Sequence, residues 1–164
     1  MNDIAIIYLR NGGMTTVDAD LHSWLNQWKW SLSPEGYAFR SERVCIGKFR
    51  KVYLHALING TPQGQRTDHI NLCRLDNRRS NLRTANAFQS NANMGKHKRG
   101  KVTSSYKGVW RTKTGKWVSQ IGANGKRHCL GTFSSETEAA KVWNEASKRL
   151  HGEFSRQNII VTES

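Results

Sequence analysis

The chain has 164 residues, a formal net charge of +14 and 37% hydrophobic residues. That length allows one ordinary domain or two small ones, and it excludes a large single core. The positive charge favours a polyanionic partner, because phosphates bound by Lys and Arg release condensed counterions. Residues 95–164 carry +9 of the net charge, from 14 basic and five acidic residues, so this part is the expected electrostatic anchor.

The cysteines and the apolar runs bear on the compartment. Cys45, Cys73 and Cys129 are odd in number and far apart, which argues against a disulfide framework and a Cys-ligated zinc. No apolar run is long enough to cross a membrane, and the N-terminus has no signal-peptide pattern. A reducing intracellular compartment is expected, namely the cytoplasm of a host cell if the chain is phage-encoded.

The first 64 residues predict short strands around one helix. Residues 4–9, "IAIIYL", predict a strand that ends at the turn signal Asn11-Gly12-Gly13. The stretch "VDADLHSWLNQWKW" predicts a helix with Asp18 as N-cap. Residues 36–58 predict two or three strands, with "VCI" and "KVYLHALI" the clearest, before the loop "NGTPQG". The apolar face predicted for the helix, and assigned to the core, is formed by Leu21, Trp24, Leu25 and Trp28.

A basic stretch, residues 95–105, separates the two halves of the chain. It contains no acidic residue and almost no apolar side chain. Two interpretations stay open: a flexible linker that lies along a phosphate backbone, or a solvated linker without ordered contacts. The predicted domains are therefore residues 1–94 and 106–158. The basic residues of the linker are Lys96, Lys98, Arg99 and Lys101.

Residues 106–158 predict a three-stranded antiparallel sheet backed by one helix. The strands are "YKGVWR", "KWVSQIGA" and "KRHCLGTF", and Asn124-Gly125 is a strong hairpin signal. Ser135 and Glu138 have the spacing of a capping box at the start of the helix, which Gly152 ends. Alternation along the middle strand predicts that Trp117, Ser119 and Ile121 face the helix, and that Lys116, Val118 and Gln120 face outward.

Asp68 and His69 form the centre of the most informative stretch, "DHINLCRLDNRRSNLR". On a strand these neighbours point to opposite faces. A histidine with a pKa near neutrality suits the general base that takes a proton from a nucleophilic water. A divalent ion held by a carboxylate and another oxygen ligand suits the charge that develops at a phosphodiester. Mg²⁺ is the expected ion, and Mn²⁺ is the alternative.

Residues 54–93 resemble the HNH homing endonucleases of the His-Me finger (ββα-metal) superfamily. The resemblance lies in "DHIN" at 68–71, "LDNRR" at 75–79 and "SNLR" at 80–83. It implies an α+β fold in which a small ββα-metal domain follows an N-terminal β-rich extension. It also implies that His69 is the general base and Asp68 a metal ligand. Asn81 would be the central Asn, whose amide pins the loop between the two strands and helps to orient the histidine.

The match to this family is less direct at the third motif position. The family residue lies nine positions beyond the central Asn, which is Ser90 in this chain. We favour Asn91 as the metal ligand, with one extra residue in the connection, and keep Ser90 and Asn93 as alternatives. The family also often has Gly where this chain has Leu72.

Other polar residues of this segment have two interpretations each. His55 matches an upstream histidine of the family, and it either lies near the phosphate or forms a hydrogen bond in the sheet. Arg78 and its neighbours Arg79 and Arg83 either contact phosphates or pair with Asp76, and surface pairing is the commoner outcome.

Residues 104–158 resemble the APETALA-type (ethylene-response-factor) DNA-binding domain, through "YKGV", "GKWVSQI", "LGTFSSETEAA" and "LHGEF". Such domains lay the sheet in the major groove. The plant proteins have several arginines where this chain has Trp110, Thr112 and Thr114, so base preference does not carry over. The DNA-binding positions that the resemblance implies are Lys107, Gly108, Trp110, Thr112, Gln120, Arg127 and Thr132.

The sequence therefore predicts a metal-dependent DNA endonuclease, of the homing or mobile-element kind, targeted by a C-terminal DNA-binding domain. Its expected partner is double-stranded DNA, with no membrane and no small-molecule substrate, and it would act as a monomer or weak dimer. One alternative is a DNA-binding regulator with a vestigial, inactive HNH fold. Another is an RNA-binding or RNA-cleaving protein, since basic charge alone is compatible with either nucleic acid.

Overall fold

The computed structural model describes residues 3–96 and 103–160, and the chain divides into two compact units, Met1–Ala87 and Phe88–Ser164. Small sheets and few helices make up both units, which confirms the α+β class. No helix in the described ranges is long and apolar enough to span a membrane. Three basic residues of the predicted linker, Lys98, Arg99 and Lys101, lie outside the described residues.

The first unit opens with an antiparallel hairpin of β1 (Ile4–Tyr8) and β2 (Met14–Asp18). The predicted strand and turn are confirmed, whereas the helix predicted from Val17 is wrong in its first part. Pairing with β1 holds Val17 and Asp18 in β2, so the α-helix α1 is reduced to His22–Leu25. Asp18 makes no side-chain cap, because its carboxylate accepts the backbone N–H of Arg79 at 2.8 Å.

A three-stranded sheet follows, in the order β3 (Ser31–Leu32), β4 (Ala38–Cys45) and β5 (Lys48–Tyr53). The prediction that "LHALI" continues the last strand is wrong, since Leu54–Asn59 forms the helix α2. Leu54, Leu57 and Ile58 lie at helical spacing and pack against the core. The burial of these three side chains outweighs the strand pattern of the sequence.

The core of the first unit lies between the β1–β2 hairpin and helices α1 and α2. Leu25 is fully buried, and the predicted core residues Leu21 and Trp28 pack against the cluster. Trp24 is 38% exposed, so its assignment to the core is wrong, because α1 is a single turn and its outer side faces solvent. The buried members of the cluster are Ile7, Leu9, Val17, Leu25, Trp30, Ala38 and Leu54.

A second hairpin, β6 (Arg66–His69) and β7 (Leu82–Ala85), is joined by a twelve-residue loop that contains the 3-10 turn Arg79–Asn81. Helix α3 (Ala87–Asn93) follows β7 directly. The order strand, strand, helix is compatible with the nuclease finger that the sequence predicts.

The second unit contains the predicted three-stranded antiparallel sheet, formed by β8 (Val109–Arg111), β9 (Trp117–Ala123) and β10 (Lys126–Phe133). Helix α4 (Glu136–His151) packs on one face of it. Ser119 and Ile121 are buried on that face, as predicted.

The predicted turn between β9 and β10 and the predicted end of α4 are confirmed. Asn124 and Gly125 both have positive φ, at 52° and 73°, and Gly152 ends α4 with φ 53°. The capping box is wrong: Ser135 is the N-cap residue but makes no side-chain cap bond, and its hydroxyl lies 2.7 Å from that of Thr137. The three cysteines are free and exposed.

Candidate functional site

Asp68 and His69 end strand β6, and the hairpin pairs them with residues of β7. Asp68 lies opposite Arg83, and His69 lies opposite Leu82. Asp68, the predicted metal ligand, and His69, the predicted general base, are each 5% exposed. Arg83 donates from Nε at 3.0 Å to Asp68 Oδ2, and its Nη2 lies 2.9 Å from the same oxygen. A buried carboxylate is therefore paired with a guanidinium that approaches from the neighbouring strand.

His69 is oriented by Asn77, a residue to which the sequence analysis gives no role. The Nε2 atom of His69 lies 3.1 Å from Oδ1 of Asn77. The amide of Asn77 donates from Nδ2 to the Thr15 hydroxyl at 2.7 Å, and that hydroxyl donates to the Leu75 carbonyl at 2.8 Å. The Leu75 carbonyl can only accept, so the Thr15 hydroxyl donates to it and accepts from Nδ2 of Asn77. Oδ1 of Asn77 is then an acceptor, and Nε2 of His69 must carry the proton. The lone pair of His69 is then on Nδ1.

Burial lowers the pKa of His69 below its usual value, although its hydrogen bond to Asn77 and the charge of Asp68 act in the opposite direction. The imidazole is consequently neutral near pH 7. A neutral ring with its proton fixed on Nε2 is the protonation state that a general base requires.

Asn81 fastens the loop between the two strands. Its Oδ1 accepts the backbone N–H of Asn71 at 3.0 Å, and its Nδ2 donates to the carbonyl of Asp76 at 2.7 Å. The same loop forms a parallel bridge between Asp76 and Thr16 of β2. The amide thus joins both ends of the loop that carries Asn77, while Asn77 itself contacts the imidazole.

Two arginines of the loop, Arg78 and Arg79, are paired with carboxylates. Arg78 donates from Nε and Nη2 to the two oxygens of Asp76, each at 2.7 Å, and this interaction lowers the pKa of Asp76. Arg79 donates to Asp20 at 2.8 Å. These contacts favour the ion-pair interpretation of Arg78 over a phosphate contact.

His55 lies beside His69 in a cluster of rings. The two imidazoles are 5.2 Å apart, edge to face, and Tyr53 stacks on His55 at 5.4 Å. Tyr37 lies 4.9 Å from His55 and 6.0 Å from His69. The Nδ1 atom of His55 is buried and has no hydrogen-bond partner in the described ranges. Burial, followed by repulsion from His69, lowers the pKa of His55 to about 4.

Leu72 occupies the position where the resembled family often has glycine. Its φ is 65°, in the left-handed region that costs a side-chain-bearing residue about 1–2 kcal/mol. Its backbone N–H donates to the carbonyl of His69 at 3.0 Å, so the turn begins directly after the histidine. The glycine preference of the family thus has a conformational cause that this chain shares.

The donor groups fit a hard divalent ion better than a transition metal. The part of the chain described by the structure contains no group of three or more His, Cys, Asp or Glu side chains that could hold a metal. Mg²⁺ prefers carboxylate and amide oxygens and keeps several waters, so it needs few protein ligands. Asp68 offers a carboxylate of this kind.

Three polar residues of α3 were considered as the second ligand, and they differ in position. Ser90 and Asn93 are three residues apart and share one side of the helix, whereas Asn91 is rotated by about 100° from Ser90. Asn93 is 4% exposed and Asn91 is exposed. Asn93 therefore shares the face of the family position, and Asn91 does not.

The predicted DNA-contacting residues of the second unit fall into two groups. Register places Trp110 and Thr132 opposite Val118, and Arg127 opposite Gly122, all on the sheet face that α4 leaves uncovered. Gln120 lies on the same face, and Trp110 is 39% exposed. The hydroxyl of Thr112, in the following turn, accepts the backbone N–H of Lys116 at 3.1 Å.

Lys107 and Gly108 have internal contacts. The ammonium of Lys107 donates to the carbonyls of Asn91, Ala92 and Met94, at 2.6–3.2 Å, at the end of α3. A Cβ atom at Gly108 would lie 2.0 Å from Nε1 of Trp143. Lys96, in the predicted linker, similarly donates to two backbone carbonyls, at 2.6 and 3.0 Å.

A viral protein is similar to most of this chain. An uncharacterized HNH endonuclease of Acanthamoeba polyphaga mimivirus is 27% identical over 154 residues, which are 93% of this chain and 79% of the viral protein. No protein-family model matches the chain, and no solved structure matches it. The chain is thus a distant homologue of a protein named as an HNH endonuclease.

Plant proteins are similar to about a third of the chain. Dehydration-responsive element-binding protein 2C of Arabidopsis thaliana is 45% identical over 56 residues, 33% of this chain and 16% of the plant protein. An AP2/ERF and B3 domain-containing transcription factor of the same plant is 49% identical over 65 residues, 35% of this chain and 19% of its own length. This chain therefore spans less than a fifth of these plant proteins.

Proposed function

We propose that the protein is a metal-dependent DNA endonuclease of the HNH type, which a C-terminal sheet domain directs to double-stranded DNA. The observation that carries the proposal is the hydrogen-bonded series from Thr15 through Asn77 to His69. It leaves a neutral imidazole with a basic Nδ1 next to a buried carboxylate. Distant similarity to a protein named as an HNH endonuclease supports the same class.

His69 takes the proton of the attacking water at Nδ1 while a new bond forms between the water oxygen and phosphorus and the bond to the leaving oxygen breaks. Asn77 stabilises the imidazolium that results, because its Oδ1 accepts a hydrogen bond from the N–H group at Nε2. Asn81 keeps the loop closed so that Asn77 stays in place. In this proposal His69 is the catalytic residue, and Asn77 and Asn81 position it.

A divalent ion, when bound, would supply positive charge for the phosphodiester oxygens. The sequence resemblance implies that Asp68 would hold it, with a polar side chain among residues 90–93 as a second protein ligand. Motif spacing gives Ser90, and one extra residue in the connection gives Asn91. The burial of Asn93, and the helix face that it shares with Ser90, favour Asn93. We propose Mg²⁺ as the ion, because carboxylate and amide oxygens suit it.

The uncovered face of the β8–β9–β10 sheet is the proposed DNA reader. It presents Trp110, Gln120, Arg127 and Thr132, and the chain from residue 95 onward carries most of the positive charge. Similarity to plant element-binding and transcription factors supports this assignment. A homing or mobile-element role in the cytoplasm of a host cell is part of the same proposal.

The test compares the parent protein with His69→Ala and with His22→Ala, a change at a histidine of α1. We expect His69→Ala to bind DNA as the parent does and to lose metal-dependent nicking of supercoiled plasmid by at least about a hundredfold. His22→Ala should cleave normally. Equal nicking by His69→Ala and the parent would contradict the role of His69. Absence of cleavage by the parent with Mg²⁺ or Mn²⁺ would favour a DNA-binding regulator.

A further inference from the structure

The β4–β5 hairpin extends from the ring cluster at His55, and its two faces differ in charge pairing. Register places Phe39 opposite Tyr53, Ser41 opposite Lys51, and Arg43 opposite Phe49, so these six residues share one face. We call them the hairpin stripe. The other face carries Arg40, Glu42 and Arg50.

On the other face, one acidic residue pairs with two basic neighbours. Glu42 accepts from Arg40 at 2.8 Å and also pairs with Arg50. In the hairpin stripe, by contrast, neither Arg43 nor Lys51 forms an ion pair within the described ranges, and Lys51 lies over the ring of Phe39 at 4.9 Å. The stripe therefore has two cations without an ion-paired carboxylate in the described ranges, although the charge of Lys51 also acts on Glu35. The other face has a net charge of one.

The stripe also presents apolar surface to solvent. Phe49 is 66% exposed, and the tip of the hairpin adds Val44 and Ile46, which are 62% and 88% exposed. Exposed aromatic and aliphatic side chains interleaved with cations match a duplex, whose phosphates attract the cations and whose groove or bases receive the apolar groups. This composition fits DNA better than a neutral protein surface.

The stripe leads directly away from the candidate catalytic histidine. Tyr53 stacks on His55, which meets the edge of His69, and Phe39 lies 6.3 Å from Tyr53. Phe49 and Tyr53 are four positions apart on β5, so their backbones are separated by about 13 Å. That length corresponds to roughly four phosphates of one DNA strand along the helix axis.

A concavity of about 300 Å³ adjoins the base of the stripe and extends the positive surface. It is lined by Phe39 and Ser41 of the stripe and by the basic residues Arg10 and Lys29. Arg40, which is paired with Glu42, also lines it. No acidic residue lines it. The basic surface thus continues past the stripe on the side of β4 that β3, only two residues long, leaves largely unpaired.

We infer that the hairpin stripe is a second DNA-binding surface, which holds the duplex on one side of the cleaved bond. This inference rests on the proposed nuclease function and assigns to the first unit a share of DNA binding that neither relatives nor sequence motifs indicate. Arg43 and Lys51 contact phosphates, and Phe49 with the hairpin tip contacts the groove.

The test uses the full chain and two double variants with the same loss of charge. Arg43→Gln with Lys51→Gln removes the cations of the stripe. Lys48→Gln with Arg50→Gln removes two cations from positions that alternate with Phe49 and Lys51 along β5 and so face the other way. Binding to fluorescein-labelled sheared genomic DNA is measured by anisotropy over a range of salt concentrations, without divalent ion, so that cleavage does not contribute.

For the stripe variant, we expect weaker binding and a slope of log K against log salt that is smaller by about 1.8, since each phosphate contact contributes about 0.9. The other double variant should change the slope little. Equal losses in the two variants would show a non-directional charge effect and overturn the inference, as would no loss in either. A change in sedimentation of the stripe variant without a change in DNA binding would also overturn it and indicate a self-association surface.

A photoreactive residue gives an independent measurement at the same place. Phe49→benzoylphenylalanine should cross-link to labelled DNA, and Arg50→benzoylphenylalanine on the opposite face should not; the reverse pattern would overturn the inference. Plasmid nicking is measured in parallel. Stripe-dependent binding without nicking would refute the nuclease function alone, whereas nicking by a protein whose binding is independent of the stripe would refute the second surface alone.

Discussion

At the scale of single residues, the candidate site depends on groups whose hydrogen-bonding roles are fixed by their neighbours. His69 is oriented through Asn77, and Asn77 is in turn oriented by the hydroxyl of Thr15. Sequence motifs could predict the pair Asp68 and His69, because an acid beside a histidine has a clear chemical interpretation. They could not predict Thr15, which lies 62 residues from Asn77 and has no motif of its own.

Leu72 shows a similar limit of prediction from sequence. A resemblance shows that glycine is frequent there, and only the backbone angle shows why. The structure thus supplies the physical reason for a preference that a single sequence cannot explain.

His55 provides a prediction about pH at this scale. Burial lowers its pKa from 6.5 to about 4 in the folded chain. Below pH 6.5 the unfolded chain binds a proton at His55 that the folded chain does not, so the free energy of unfolding falls as the pH falls. We expect His55 to contribute a loss of about 3 kcal/mol between pH 6.5 and pH 4, and none above pH 6.5.

Urea unfolding of the parent and of His55→Gln, above pH 6.5 and near pH 4, measures this contribution. The parent should lose about 3 kcal/mol more than the variant on acidification. An equal loss in both proteins would show that His55 has the same pKa in the folded and unfolded chains.

At the scale of secondary-structure elements, tertiary contacts determine whether a segment with an ambiguous sequence pattern forms a helix or a strand. "LHALI" is predicted to continue a strand and is a helix, in which Leu54, Leu57 and Ile58 reach the core at helical spacing. The C-terminal sheet was predicted with the right number and order of strands, although the first strand begins at Val109 and not at Tyr106. The Asn124-Gly125 turn joins its second and third strands. Local signals sufficed in that sheet, whereas α2 depends on a core contributed by distant strands.

Helix α3 supports a prediction about the proposed metal ligand. Asn93 is buried on the helix side that also carries Ser90, and Asn91 is exposed on another side. We expect Asn93→Ala to require at least about tenfold more Mg²⁺ for half-maximal nicking, because loss of an outer-shell or direct partner has effects of this size. Asn91→Ala should need little more than the parent.

Far-UV circular dichroism of both variants controls for loss of helix. A larger Mg²⁺ requirement in Asn91→Ala than in Asn93→Ala would support Asn91 as the ligand, and would contradict the choice of Asn93 on the basis of its burial.

At the scale of the whole molecule, positive charge is concentrated in the part that contains the second sheet, with +9 of the net +14 from residue 95 onward. Composition could predict a polyanionic partner, but not the face that binds it. Strand register adds that information, because it separates the uncovered face, with Arg127 and Trp110, from the face that packs on α4.

The separation of faces leads to a prediction with a matched control. Arg127→Gln should weaken DNA binding and reduce the salt slope by about 0.9, whereas Lys141→Gln, with the same charge change on an exposed position of α4, should do neither. Anisotropy titrations with labelled duplex measure both, and nicking at saturating DNA should stay as in the parent. Similar losses in the two variants would mean that net charge alone, and no particular face, governs affinity.

The contact between Asn77 and Thr15 has a consequence for any attempt to transfer the proposed nuclease activity to another protein. The motif-bearing segment begins near residue 54, yet the imidazole it contains is steadied from the second strand of the chain. A fragment that begins at the motif would contain His69 and Asn77 but would lack Thr15, which orients Asn77. The smallest transferable fragment therefore has to include the opening hairpin. Its boundary is set by the Thr15 hydroxyl, far outside the segment on which the proposed nuclease function rests.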